Sequence, residues 1–176
     1  KSLSENIAVE RERLTEVRNR ATHIIDTTDM PTAELKEKIW KLYSGNGGVE
    51  RMIVLVQSFG FKHGLPLDSD MVLDVRFLPN PFYEKDLKRL TGNDQPVADF
   101  ICRFPQTFQF LKKEEEMLEF LLPQYISEGK SQLVISVGCT GGQHRSVFIA
   151  NRLYEFLRTQ GYAVQLTHRD LQRKNK

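Results

Sequence analysis

The stretch Leu133-Val134-Ile135-Ser136-Val137-Gly138-Cys139-Thr140-Gly141-Gly142-Gln143-His144-Arg145-Ser146-Val147 reads as a buried strand, a glycine-rich turn and a helix beginning near His144. Its largely apolar start is what a strand covered on both faces requires. The glycines at 138, 141 and 142 let the backbone reach φ > 0 and bring N–H groups close to a ligand. The helix start adds aligned N–H donors and a partial positive charge. Thr140 and Ser146 offer hydroxyls, and His144 and Arg145 offer side-chain donors to a dianion. In open α/β sheets ligands bind beyond the C-terminal ends of strands. The stretch therefore predicts a phosphate site over residues 138–146.

Working outward, Met52-Ile53-Val54-Leu55-Val56 is a second continuous apolar run, expected to be a strand covered on both faces. Met71-Val72-Leu73-Asp74-Val75-Arg76-Phe77 and residues 163–167 are further strand candidates, with helices expected over 95–103, 107–126 and 145–159. Alternating strands and helices imply an α/β class with a largely parallel sheet layered with helices. Upstream, residues 4–20 read as an amphipathic helix and His23-Ile24-Ile25-Asp26 as a short strand. Thr28-Asp29-Met30-Pro31 starts a helix over 32–43, and Gly45-Asn46-Gly47-Gly48 is the best linker. The boundary is expected near residue 46, separating residues 1–45 from a domain over 49–176.

The 176 residues are 40% hydrophobic and 27% charged, which excludes a disordered tail or a collagen-like fibre. The net charge of +2 conceals a gradient: residues 1–48 are neutral, 49–128 carry −4 and 129–176 carry +6. An anion-seeking surface belongs in that last quarter. Cys102 and Cys139 fit neither a zinc spacing nor a disulfide framework, so no metal is expected and a reducing, cytoplasmic compartment is. No apolar run approaches the roughly 20 residues of a membrane span, and no signal-peptide pattern opens the chain. The absence of an initiator Met is consistent with a piece of something longer.

The glycine-rich loop also carries Cys139-x5-Arg145-Ser146, the spacing of cysteine-dependent phosphatases, with Cys139 as nucleophile and Arg145 as phosphate clamp. Those enzymes usually place His where this chain has Gly138, and no general-acid Asp loop is evident. Phe59-Gly60-Phe61-Lys62-His63-Gly64-Leu65-Pro66 lies after a strand, so His63 is either a ligand or acid–base group or a surface-loop residue. Asp74 and Arg76 point to one side of an extended segment and either pair with each other or bind substrate. Pro79 and Pro81 stiffen its exit, and Asn80 before Pro81 favours a turn. Gly129-Lys130-Ser131 imitates the end of a Walker A loop but precedes the strand, and is read as a turn. Phe100, Phe104, Phe108, Phe110 and Phe120 are expected in the core. The C-terminal stretch with His168, Arg169, Arg173 and Lys174 reads as a basic, exposed tail suited to phosphates, RNA included, or as a solubilising terminus.

Several of these segments together resemble the RapZ/YvcJ family of bacterial proteins. They are Val75-Arg76-Phe77-Leu78-Pro79-Asn80-Pro81, the loop from Gly138 to Val147, His168-Arg169-Asp170-Leu171, Lys62-His63-Gly64-Leu65-Pro66 and Thr91-Gly92-Asn93-Asp94-Gln95-Pro96-Val97. The resemblance covers essentially the whole chain. It implies a C-terminal remnant of a Walker-type ATP/GTP-binding domain in residues 1–45, with the nucleotide site itself outside this chain and no cofactor in it. It implies for the remainder a sugar-phosphate-binding domain similar to a phosphofructokinase subdomain. In the enterobacterial branch that domain senses glucosamine-6-phosphate, binds small regulatory RNAs and serves as an adapter for an RNase. Phosphate-loop roles carry over to Cys139, Thr140, Gly141, Gly142, His144 and Arg145, with His63, Asp74 and Arg76 as neighbours. The expected partners are a sugar phosphate or nucleotide sugar and a small RNA or regulatory protein, with a homo-oligomer allowed and no membrane involved. Where the enterobacterial pattern has His-Trp after Asn-Pro, this chain has Phe82-Tyr83.

Overall fold

A computed structural model describes residues 3–43 and 52–173. The chain divides into two compact units, Lys1–Gly47 and Gly48–Lys176. The glycine linker at 45–48 lies outside the described residues.

In the first unit, the single helix expected over 4–20 is two: α1 (Leu3–Arg13) and α2 (Thr15–Arg20), neither with a buried residue. Leu3, Ile7, Leu14 and Val17 are all exposed. The strand expected at residues 23–26 does not form. A strand needs a neighbour for its ladder, and the described residues of this unit hold none. The backbone turns locally instead, with Thr28 N–H donating to Asp26 Oδ1 at 2.9 Å and Met30 N–H to the Thr27 carbonyl at 3.2 Å. Helix α3 (Thr32–Tyr43) follows Pro31 as the sequence predicts.

The second unit is the α/β domain that the alternation implied. Strands β1 (Ile53–Gly60), β2 (Met71–Asp74), β3 (Gln132–Cys139) and β4 (Ala163–His168) form one sheet in the order β2-β3-β1-β4. All three ladders are parallel. The register pairs Gly60 with Cys139 and Asp74 with Gly138, so the C-terminal ends of the three strands meet at one edge. Helices α4 (Gln95–Cys102) and α5 (Pro105–Ser127) connect β2 to β3, and α6 (Arg145–Thr159) connects β3 to β4.

β3 is buried along seven of its eight residues, as its apolar run demands. β1 departs from that expectation. Val54 and Val56 are buried, but Ile53 is 42% exposed and Leu55 half-buried. Helix α6 packs on β1, β3 and β4. In the loop between β1 and β2, Ser69 Oγ meets Ser136 Oγ of β3 at 2.6 Å, and Phe61 packs edge-on against Phe59 of β1 at 4.8 Å. The core is aliphatic: Leu111, Leu118 and Leu122 of α5 pack with Ile149, Leu153 and Leu157 of α6. Contrary to expectation, Phe108 and Phe120 are exposed. The seven- and four-residue steps between those leucines set the inward face of α5, and the two phenylalanines lie off it. Phe100, Phe104 and Phe110 are half-buried at its edge.

Candidate functional site

The site grows from the end of β3. Past Cys139 the chain turns through Thr140, Gly141 and Gly142 and enters α6 at Arg145. Glycine is obligatory here for two physical reasons. Gly142 has φ of 77°, a region open to glycine. Gly60, at the end of β1, lies so close that a Cβ on it would stand 2.6 Å from the Gly141 carbonyl carbon. Both contacts are backbone, so neither can yield cheaply. Gly60→Ala is therefore expected to displace the loop, cost about 1–3 kcal/mol in overpacking and weaken anion binding; thermal unfolding and calorimetry read the two effects.

The resulting pocket of about 290 Å³ is lined by Cys139, Thr140, Gly141, Gln143, His144 and Arg145 on one side and by Lys62, Asn80, Phe82 and Tyr83 on the other. The N–H groups of Gly141 and His144 have no backbone acceptor among the described residues. The N–H of Gly142 instead donates to Cys139 Sγ at 3.3 Å.

Arg145 is 4% exposed. Its Nη1 donates to the backbone carbonyls of Arg76 at 2.7 Å and Leu78 at 2.8 Å. Its Nη2 donates to Thr140 Oγ1 at 3.3 Å, the Cys139 side chain lies within reach of the guanidinium, and its Nε is buried without a partner. One corner of the guanidinium is thus an anchor, while the Nε–Nη2 edge, the geometry that clasps an oxyanion in two parallel bonds, is left largely uncommitted. Burial pushes the Arg145 pKa down, and the nearby Cys139 and Asp74 push it back up. His144 is 6% exposed. Its burial holds the imidazole below the ordinary histidine pKa, against the Leu87 and Leu90 carbonyls, which favour the charged form.

The other residues singled out in the sequence fall around this pocket rather than on its wall. Asp74 and Arg76 bond to each other, Arg76 Nη2 to Asp74 Oδ2 at 2.6 Å. The hydrogen bond from Arg76 holds Asp74 below the usual carboxylate range. The guanidinium of Arg76 stacks on Phe61 at 4.0 Å, and the pair's contribution to the site is the Arg76 carbonyl under Arg145. His63 is half-buried beside Asp170, with Nε2 buried and unpartnered.

The basic tail is not the free, exposed segment its composition predicts. His168 ends β4, half-buried, with Nδ1 2.8 Å from Ser58 Oγ, and burial lowers its pKa. Arg169 donates to the Gly64 carbonyl at 2.7 Å and pairs with Asp170 at 2.8 Å. Arg173 is exposed but also pairs with Asp170, at 3.1 Å. Lys174 lies outside the described residues. The physical reason is the fully buried Asp170, which collects both arginines.

Asp170 is the residue sequence reading missed. Its Oδ2 accepts the Gly60 N–H at 2.8 Å, and its Cβ lies 3.0 Å from where a side chain on Gly142 would begin. It therefore braces the loop from behind. A lone acid among His168, Arg169, Arg173 and Lys174 was the available signal. Lys62, Asn80, Phe82, Tyr83 and Gln143 were also absent from the candidates. Asn80-Pro81 carried the hint: Asn80 Oδ1 accepts the Phe82 N–H at 3.2 Å, making the turn that puts Phe82 and Tyr83 on the wall.

Among the described residues, no group of three or more His, Cys, Asp or Glu side chains is arranged to hold a metal. No described helix is long and apolar enough to cross a membrane.

Comparison with known proteins places these features in a family. Residues 52–172 match the RapZ C-terminal domain, and residues 1–47 match the RapZ-like N-terminal domain. A protein of Alkaliphilus oremlandii called a nucleotide-binding protein is 54% identical over 169 residues, which is 96% of this chain and 58% of that protein. Proteins of the same description from Clostridium kluyveri and Clostridium botulinum are 53% and 52% identical, each over 94% of this chain and 57% and 56% of their own lengths. The chain thus spans a little over half the length of the curated relatives it matches. With a RapZ C-terminal domain matched over most of its length and its glycine-rich loop built as described, the chain belongs to the RapZ family.

Proposed function

We propose that the second unit is a regulatory domain that binds a phosphorylated metabolite of the amino-sugar type at residues 138–146. The observation that carries the reading is the divided guanidinium of Arg145, anchored through Nη1 and, beside the start of α6, left with one long bond on Nη2 and none on Nε. Phosphate on that edge would also meet the N–H groups of Gly141 and His144. The pocket volume, about 290 Å³, stands at the lower end of ligand sites. That favours a single phosphorylated sugar over a nucleotide sugar. Thr140, Asn80 and Gln143 supply polar groups for its hydroxyls, and Phe82 and Tyr83 an aromatic side.

Occupancy would be read out through two ties on the loop. Gln143 lines the pocket and donates through Nε2 to the Arg173 carbonyl at 2.7 Å, holding the basic C-terminal segment. Gly92 N–H donates to the Gln143 carbonyl at 2.8 Å, joining the loop to the segment before α4. A ligand that moves Gln143 moves both, and an RNA or protein partner on that surface would sense it. The nucleotide binding named for the relatives would reside, as ATP or GTP binding, in the part of those proteins that this chain does not span.

Calorimetry with glucosamine-6-phosphate, glucose-6-phosphate and UDP-N-acetylglucosamine tests the proposal. Binding of the monophosphates, with the amino sugar tighter and the nucleotide sugar weaker, is expected. Failure of every sugar phosphate to bind overturns it.

A further inference from the structure

Cys139 is placed as no merely space-filling loop residue needs to be. It ends β3 inside the anion pocket, 3% exposed. Its Sγ accepts the Gly142 N–H at 3.3 Å and lies 3.2 Å from the hydroxyl of Ser146, itself fully buried. Six residues on, at the start of α6, Arg145 lies close enough for its charge to act on the sulfur. Donors from the loop backbone, a helix-start hydroxyl and a guanidinium thus converge on one thiol. A second observation points to a ligand above it: Arg145, which lines the pocket and is more than nine-tenths buried, carries a buried Nε without a hydrogen-bond partner.

We infer that Cys139 is a phosphoryl acceptor, and that the loop carries out slow transfer from phosphate monoesters with good leaving groups. The inference rests on the phosphate seat proposed above. In the first step a sulfur electron pair forms the S–P bond as the P–O bond to the ester oxygen breaks. The thiol proton is released to solvent, and the departing alcohol takes up a proton from it. In the second step water attacks phosphorus, the S–P bond breaks, the thiol recovers its proton and inorganic phosphate leaves. No oxidant, reductant or metal enters the balance. Ser146 supports the departing thiolate in the second step, and the Arg145 edge holds two equatorial oxygens throughout. Among the described residues, no carboxylic acid lines the pocket to protonate an alkoxide. That restricts the chemistry to phenol-like or otherwise stabilised leaving groups.

The test uses the 176-residue chain with p-nitrophenyl phosphate, following nitrophenolate release and, after acid quench, the mass of the peptide containing Cys139. Release is expected together with a phosphorylated Cys139. Cys139→Ser should cut the rate of nitrophenolate release by at least about a hundredfold. Ser146→Ala should slow the second step and let the phosphorylated cysteine accumulate. A protein that binds inorganic phosphate but neither releases nitrophenolate nor carries phosphate on Cys139 overturns this inference and leaves the binding site intact. Turnover unchanged in Cys139→Ser overturns it equally. Absence of phosphate binding removes the seat and the inference with it.

Discussion

Arg145→Ala is expected to weaken the proposed sugar-phosphate binding strongly and to destabilise the domain in the same stroke. A hydrogen bond to a charged partner contributes about 1.5–3 kcal/mol, so losing the Nε–Nη2 edge alone weakens affinity roughly ten- to 150-fold. The second effect comes from the other corner of the guanidinium. Without Nη1 the carbonyls of Arg76 and Leu78 lose the donor that joins the segment after β2 to the start of α6. Stranded buried acceptors cost about 1–3 kcal/mol each. Arg145→Lys separates the two roles. An ammonium can satisfy one carbonyl but cannot hold two carbonyls and also present a flat two-donor edge. Thermal unfolding should therefore recover in part, whereas calorimetric affinity should not. An Arg145→Lys variant that binds like the original protein would sink the divided-guanidinium argument.

Asp170→Ala is expected to lower stability by about 2–4 kcal/mol, a large loss for one surface-adjacent turn. The carboxylate is fully buried and serves the Gly60 N–H, Arg169 and Arg173 together. Its removal leaves the Gly60 amide without its acceptor next to the Gly141–Gly142 backbone, so ligand affinity should fall as well. Asp170→Asn gives the pH signature. Burial opposes ionisation of this acid, but the hydrogen bonds from Arg169 and Gly60 outweigh it and hold the pKa below the ordinary 3.8. A depressed folded-state pKa contributes stability that is fully present above the unfolded value and is lost as pH falls through the folded one. The stability gap between the original protein and Asp170→Asn should accordingly be constant at neutral pH and close below about pH 3.8. Denaturant titrations across that range check it. A gap that stays open at low pH would mean the carboxylate's charge is not what holds the turn.

Much of the α/β unit was legible because its signals are local. The apolar run at 133–137, the glycines after it and the helical pattern from 145 specify strand, turn and helix within 15 residues, and the helix expected over 145–159 is the one observed. Two failures have one cause. The run at 52–56 looked like the run at 133–137, but β1 is only partly covered on the face that carries Ile53 and Leu55. Residues 23–26 had strand-like side chains but no partner within their unit's described residues. Periodicity reports which residues prefer an extended or helical chain and is silent on what will lie against them. The basic tail failed differently: counting charges could not anticipate that one buried aspartate would gather two arginines.

The sequence by itself determined a glycine-rich loop between a buried strand and a helix, carrying Cys139, Thr140, His144 and Arg145. Each follows from residue types within one contiguous segment. Only the tertiary structure decided which edge of Arg145 is spent and which is uncommitted, and that Asp170 braces the loop. Those facts depend on contacts across 69 and 110 residues of chain. A parallel sheet brings such distant segments to one edge, because every crossover returns the chain to the same end before the next strand begins.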